Sequence, residues 1–343
     1  MASEALSDQI ARLLATDGSD TRDVKLVPCN AGGNNRVFKV IAGDRLLIAK
    51  WYFSDPSDKR NRLAAEYAFL CYAARVGIAC VPAPISCDAE HNLALYEFIK
   101  GESIGVEQVA EREVDAALDF FLALNQAVVR PHAASLADAS EACFTISGHL
   151  ALVDERIERL MMIVPASEVD AETCAFVAAL KARWQRIKSA VARSAPERGI
   201  ELDAPLPHDQ RCISPSDFGF HNALRRPSGD VCFLDFEYAG WDDPAKMAGD
   251  FFSHPAISVD PRFREHFLAA AMSFCAEPQT LHARAGLLFP LFQMKWCCII
   301  LNDFLPDSAR RRRFADPGLD ELERKRTQLA KAVKLFNSIE ASG

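Results

Sequence analysis

The chain has 343 residues, 50% hydrophobic and 25% charged, an ordinary globular composition that excludes disordered, collagenous and coiled-coil proteins. At about 150 residues per domain, this length predicts two domains or lobes with a sizeable core. Its 39 basic and 47 acidic residues leave a formal charge of −8, which excludes a general nucleic-acid binder and leaves small cationic or neutral ligands, or a metal–nucleotide complex, open.

In chain order, the first residues carry acids where a signal peptide carries lysines. Segments 24–29, 36–41 and 45–53 are short runs rich in Val, Ile, Leu and Phe. They are punctuated by Asn30-Ala31-Gly32-Gly33-Asn34-Asn35 and Ala42-Gly43-Asp44, and they predict strands joined by turns. Segment 63–75 is helical in propensity and closes at Gly77. Segments 84–87 and 93–99 predict two more strands, ending at Lys100-Gly101. Residues 1–101 therefore predict a small antiparallel β lobe with one helix.

Beyond Gly101 the apolar residues recur at helical spacing, over 109–129, 148–163 and 171–195. A loop-rich interval, 202–241, holds a strand at 231–236. Helical patterning returns over 244–254, 261–275, 280–304 and 319–339. The longest apolar stretch, 285–294, is interrupted by Pro290 and is shorter than the roughly 18 residues of a spanning helix. The 11 cysteines form no CxxC pair or Cys/His ladder for zinc, and adjacent Cys297 and Cys298 sit in an apolar helix as core residues do. The sequence predicts an α+β protein of two lobes, 1–101 and a larger, mainly helical 102–343. It is expected to be soluble and cytoplasmic with reduced thiols, and to have no membrane partner.

Five features follow one another in an order that suits phosphoryl transfer. Gly32-Gly33-Asn34-Asn35 between two strands lets backbone N–H groups approach phosphates, although a plain hairpin reads the same way. Lys50 on the next strand needs an anion unless it faces solvent. Glu66, sixteen residues later on the helix, is a partner for it or part of a solvated face. Asp217 followed five residues on by Asn222 has the catalytic-loop spacing of kinases, a spacing that chance also supplies. Asp235 ends an apolar strand thirteen residues after Asn222 and suits a second magnesium ligand.

Taken together, these residues resemble the aminoglycoside phosphotransferase family and its choline-kinase-like relatives, within the protein-kinase-like superfamily. The resemblance runs from about residue 24 to 254 and is strongest over 217–250. Ala31-Gly32-Gly33-Asn34-Asn35-Arg36-Val37-Phe38 resembles the family's nucleotide-loop strand pair, and Lys50 with Glu66 its phosphate-binding ion pair. Leu95 to Glu102 resembles the hinge, where Glu97 to Ile99 would offer backbone groups to adenine. Asp217 falls at the catalytic Asp, Asn222 and Asp235 at the metal ligands, and Gly240-Trp241-Asp242-Asp243-Pro244 at the G-W-x-D-P tail. The resemblance implies a two-lobed kinase-like fold with ATP and Mg2+ as cofactors, a small-molecule hydroxyl acceptor and no nucleic acid. Two departures stand out. Pro215-Ser216 replaces the usual His-Gly, which bears on the surroundings of Asp217. Gly219 replaces the usual His, and His221 precedes Asn222 instead.

His221, Glu237, Tyr238 and Trp241 are the candidate acceptor-binding residues. Trp241 and Tyr238 could stack on a sugar or cation, or simply pack, and Glu237 could form an acidic wall. The run Arg310-Arg311-Arg312-Arg313, followed by Arg324-Lys325-Arg326, reads as a solvated face or as an anion-binding surface that Lys295 could join. The acceptor therefore stays open among sugars, amino sugars, amino alcohols and aminoglycoside-like compounds. Rival readings are a nucleotide-binding regulator without acceptor chemistry and a protein kinase. The latter is disfavoured because no long activation segment separates Asp235 from Trp241.

Overall fold

The computed structural model describes residues 2–16, 24–29, 35–55, 58, 60–306, 308, 312, 314 and 320–339. The N-terminal part is a five-stranded antiparallel sheet in the order β1-β2-β3-β5-β4, from β1 (Lys25–Cys29), β2 (Arg36–Ala42), β3 (Arg45–Trp51), β4 (Pro84–Asp88) and β5 (Leu93–Glu97). Between β3 and β4 runs α2 (Arg62–Arg75), opened by Asn61, whose side chain accepts from the Ala64 N–H.

A second N-terminal helix, α1 (Ala2–Thr16), precedes the sheet and exceeds the single helix expected there. Its Leu6, Ile10, Leu13 and Leu14 lie at i, i+4, i+7 and i+8 and bury against Leu47, Leu93 and Leu95 of the sheet. At about 1.5–3 kcal/mol per buried aliphatic side chain, this contact is a substantial part of the sheet's support.

The remainder is mainly helical, as the sequence predicts: α3 (Glu111–Asn125), α4 (Ile146–Met161), α5 (Glu168–Glu197), α6 (Pro244–Ser253), α7 (Arg264–Ala271), α8 (Pro278–Ile300) and α9 (Glu321–Ser338). Four short strands, β7 (Cys212–Ser214), β8 (Ala223–Arg225), β9 (Val231–Phe233) and β10 (Gly240–Asp242), organise the loop-rich interval, and β6 (Glu102–Ser103) pairs with β8. The strand expected at 231–236 stops at Phe233, because Asp235 adopts a left-handed φ of +65°.

Helix α8 is the axis of this lobe and packs on α4, α5, α6 and α9. It crosses α6 so closely that a Cβ on Gly249 would lie 2.2 Å from the Phe292 ring, so only glycine fits there. The stretch Pro278–Phe304, longer than the apolar run alone suggests, is by length and composition apolar enough to cross a membrane. Here 67% of its most apolar window is buried in the protein. Cys297 and Cys298 are fully buried within it, and all 11 cysteines are unpaired. Helix α2 forms the seam between the two parts: Phe69 stacks on Phe236 at 4.6 Å and Tyr72 donates to the Leu124 carbonyl.

Candidate active site

Lys50 lies on the central strand β3, and its side chain is 8% exposed. An ammonium so enclosed needs anions. Its Nζ donates to Glu66 Oε2 at 2.6 Å and to the Asp235 carboxylate. Glu66 is held from further directions: Tyr52 donates its hydroxyl to the same oxygen at 2.6 Å, and the Phe236 N–H donates to Oε1 at 3.3 Å. Burial opposes the charge on Lys50, but Asp235, Glu66 and Glu237 outweigh it and keep the lysine protonated well above its ordinary range. The same crowding acts on Asp235. Desolvation, with the negative charges of Glu237 and Glu66, pushes its carboxyl up to about 7 in spite of Lys50.

The twelve residues between Asn222 and Asp235 are closed by a hairpin. Ala223 of β8 pairs with Phe233 of β9, and the Leu234 N–H donates to the Asn222 carbonyl at 2.8 Å. The two side chains therefore flank one hairpin mouth. Asn222 Nδ2 donates to the Asp217 carbonyl at 3.0 Å, which turns the amide oxygen away from that contact. The left-handed backbone at Asp235 costs about 1–2 kcal/mol for a residue with a Cβ. Two hard oxygen donors beside several crowded carboxylates fit a magnesium ion.

Asp217 lies on the loop after β7, with its side chain 29% exposed. Two imidazoles converge on it: His221 Nε2 and His254 Nε2 lie 3.4 and 3.5 Å from Oδ1. Their rings stack in parallel, with centroids 3.6 Å apart. Gly219, where the family's usual His is missing, makes the room. Its φ of 167° is ordinary extended backbone, but a Cβ there would lie 2.9 Å from His221 Nδ1. Desolvation raises the Asp217 carboxyl, yet His221, His254 and Lys246 outweigh it and hold it well below the usual range, so it is a carboxylate at neutral pH. Burial and the neighbouring His221 push His254 down to about 3, which leaves it uncharged. Ser216, in the place of the family's Gly, takes a left-handed φ of +65°, and its N–H donates to Ser214 Oγ.

A cavity of about 870 Å³ brings Asp217, His221, Asn222, Asp235 and Tyr238 together. Lys50 and Glu66 stand behind Asp235. Gly32, Gly33 and Asn34 lie outside the described residues, as do Arg310, Arg311 and Arg313. The neighbouring Asn35 is described: it accepts from the Phe53 N–H and donates to Glu237, tying the start of β2 to the end of β3. Glu97 ends β5 with its N–H donated to the Ala83 carbonyl, and neither it nor Ile99 lines the cavity.

Two expected acceptor-binding residues point elsewhere. Glu237 is 3% exposed, holds Asn35 and faces Arg62 at 3.8 Å, so it braces the sheet rather than walling the pocket. Trp241 is 6% exposed in β10, donates its Nε1–H to the Ala133 carbonyl and packs on His208. Conversely, His254, Arg156 and Lys246 line the cavity without a sequence signal beyond their residue type, and Lys295, which the sequence offered as part of an anion-binding surface, lines it too. Lys246 pairs with Asp242 at 2.7 Å and Lys295 with Asp250 at 2.6 Å, which also accepts from Trp296 Nε1. Asp243 caps α6 through the Ala245 N–H and also binds Arg284 and His149.

A sequence profile described as that of the phosphotransferase enzyme family matches residues 25–285. Among solved structures, choline kinase from Cryptosporidium parvum Iowa II is similar with a TM-score of 0.59 at 11% identity, over 96% of this chain and 95% of that one. Ethanolamine kinase from Plasmodium vivax gives 0.56 at 14% identity, over 91% and 82%. Spectinomycin phosphotransferase, in complex with ADP and spectinomycin, gives 0.57 at 10%, over 94% and 98%. No curated protein sequence matches the chain. At such identities the likeness is one of fold.

Proposed function

Since the chain belongs to the phosphotransferase enzyme family, we propose that it moves the γ-phosphoryl group of ATP onto a hydroxyl of a small molecule, with magnesium as cofactor. The observation that carries this reading is the meeting of two sets in one cleft, Lys50–Glu66–Asp235 and Asp217–Asn222.

Lys50, oriented by Glu66, grips the α- and β-phosphates as a charge-assisted donor. Gly32, Gly33 and Asn34 would offer backbone N–H groups to the phosphates, and the backbone between Glu97 and Ile99 would offer its polar groups to the base. Asn222 and Asp235 would hold the magnesium ion, which when bound offsets charge on the β- and γ-phosphates. Asp217 accepts a hydrogen bond from the acceptor hydroxyl and aims its oxygen at the γ-phosphorus. As the new P–O bond forms, the bond to the ADP oxygen breaks, and the hydroxyl proton passes to the Asp217 carboxylate and on to water. Held this way, catalysis is positioning and electrostatics. His221 and Tyr238 line the acceptor side.

Calorimetric titration of ATP with and without Mg2+ checks the assignment. Wild-type protein should bind MgATP, and Asp235→Asn should lose most of the magnesium-dependent part. An affinity indifferent to both changes would remove Asp235 from the site.

A further inference from the structure

Beyond the reaction class, the cavity wall carries information about the acceptor. With Asp217 and Asp235 set aside for hydroxyl and metal, six basic side chains face four acidic ones among the described lining residues. On the sheet side Asp55 and Asp58 reach the cavity, and Asp58 is already bound by Arg60 and Arg62. The basic groups concentrate at the other end, where Arg156 and Arg159 come from α4, Lys246 from α6, Lys295 from α8, and Arg312 from the chain after it.

The ions there pair off, with Lys246, Lys295, Asp242 and Asp250 buried and Arg156 and Glu141 partly so. Glu141 takes Arg156, Asp242 takes Lys246, and Asp250 takes Lys295 while standing 3.4 Å from Lys246. No carboxylate remains among these to receive a cationic acceptor. Donors do remain. Arg156 Nε is buried without a hydrogen-bond partner, in a protein interior where such an orphan is costly. Arg159 is exposed and makes no ion pair among the described residues. Arg312 stands 3.5 Å from Asp303, whose carboxylate is already held by Arg324 at 2.7 Å. Guanidinium groups in this state match carboxylate or phosphate oxygens, often in bidentate fashion.

We infer that the acceptor is an anionic alcohol, a small hydroxyl compound carrying a carboxylate or a phosphate, whose anionic group docks between Arg156 and Arg159 of α4 and Arg312. Choline, ethanolamine and aminoglycosides, all cations, are the wrong charge for this wall. The inference rests on the phosphotransferase reading for the hydroxyl, but the anion site stands on its own geometry.

The test uses one sugar skeleton in four charge states: glucose, glucosamine, gluconate and glucose 6-phosphate, with choline as an outside cation. Binding to the full chain is measured by calorimetry without nucleotide, and turnover by ADP release with MgATP. The expected result is binding of gluconate, glucose 6-phosphate or both, at least tenfold tighter than glucose or glucosamine. The double variant Arg159→Gln/Arg312→Gln should weaken that binding at least tenfold while its circular dichroism and melting temperature stay those of the wild type. A preference for gluconate identifies a carboxylate site, and one for glucose 6-phosphate a phosphate site. Tighter binding of glucosamine or choline, no binding of either anion, or anion affinity untouched in the double variant would each overturn the inference. Anion binding without any MgATP affinity would instead refute the phosphotransferase reading and leave the anion site in place.

Discussion

At the Lys50 end of the cleft one ammonium faces Glu66 and Asp235, with Glu237 close behind, whereas at the Lys295 end three bases meet three acids, mostly buried, and further arginines stand beyond them. The first arrangement leaves negative charge in excess, and the crowding shows in the raised carboxyl of Asp235. The second is balanced in its buried layer and positive at its rim. Both ends hold paired ions, yet they suit opposite visitors. A cleft can therefore prepare for a cation at one wall and an anion at the other, with Asp217 between them.

The strongest test of this division falls on the residue in the middle. Asp217→Asn should lower kcat about 10²–10⁴-fold, the loss expected for a general base, while MgATP affinity changes less than about threefold. Retained turnover would dissolve the distinction between the two ends.

The foundation of the basic end comes next. Asp243 is fully buried beneath it and binds Arg284 and His149. Asp243→Asn leaves Arg284 buried without its counter-charge and should cost about 3–5 kcal/mol in chemical denaturation. Desolvation works against the charge on Asp243, but Arg284 and His149 outweigh it and hold its carboxyl far below the ordinary value of about 3.9. A folded-state pKa below the unfolded one contributes stability that is present above about pH 4 and is lost as pH falls through the folded value. The gap between wild type and variant should accordingly narrow from pH 4 downward.

At the acidic end, Lys50→Met removes a charge-assisted donor worth about 2 kcal/mol and should weaken MgATP binding about 30-fold in the same calorimetric assay. The smallest expected effect probes the fit around Asp217. Gly219→Ala puts a methyl group against His221 and should lower kcat about threefold, and the double variant Gly219→Ala/His221→Ala should recover the loss due to the clash.

The two ends were also unequally legible in sequence. The acidic end is written in short spacings. Lys50 and Glu66 sit on a strand and the next helix, and Asn222 and Asp235 are closed by one hairpin, so local pattern carries most of the geometry. The basic end is assembled from Glu141, Arg156, Lys246 and Lys295, which are scattered over three helices and the segment before them and meet only through packing on α8. Charge alone does not tell such residues from solvated ones. Trp241 and Glu237 erred the other way: their nearness to Asp235 in sequence suggested the pocket, but strand pairing of β10 and the clamp on Asn35 point them into the scaffold. Helix α1 was legible in principle, since its leucines and isoleucine keep helical spacing, but it lies outside the motif-bearing region.

Phe314, past the end of α8, packs edge-on against Trp51 and Phe53, and its carbonyl accepts from Arg36 Nε at 2.8 Å, two residues beyond Arg312 in the cavity wall. The chain that presents Arg312 to the cavity is thereby fastened to the strands that carry Lys50. Thermodynamic reciprocity then applies: whatever factor this fastening adds to the affinity for one substrate in the presence of the other, it adds equally in reverse. Loosening Phe314 should make the two substrates bind as strangers.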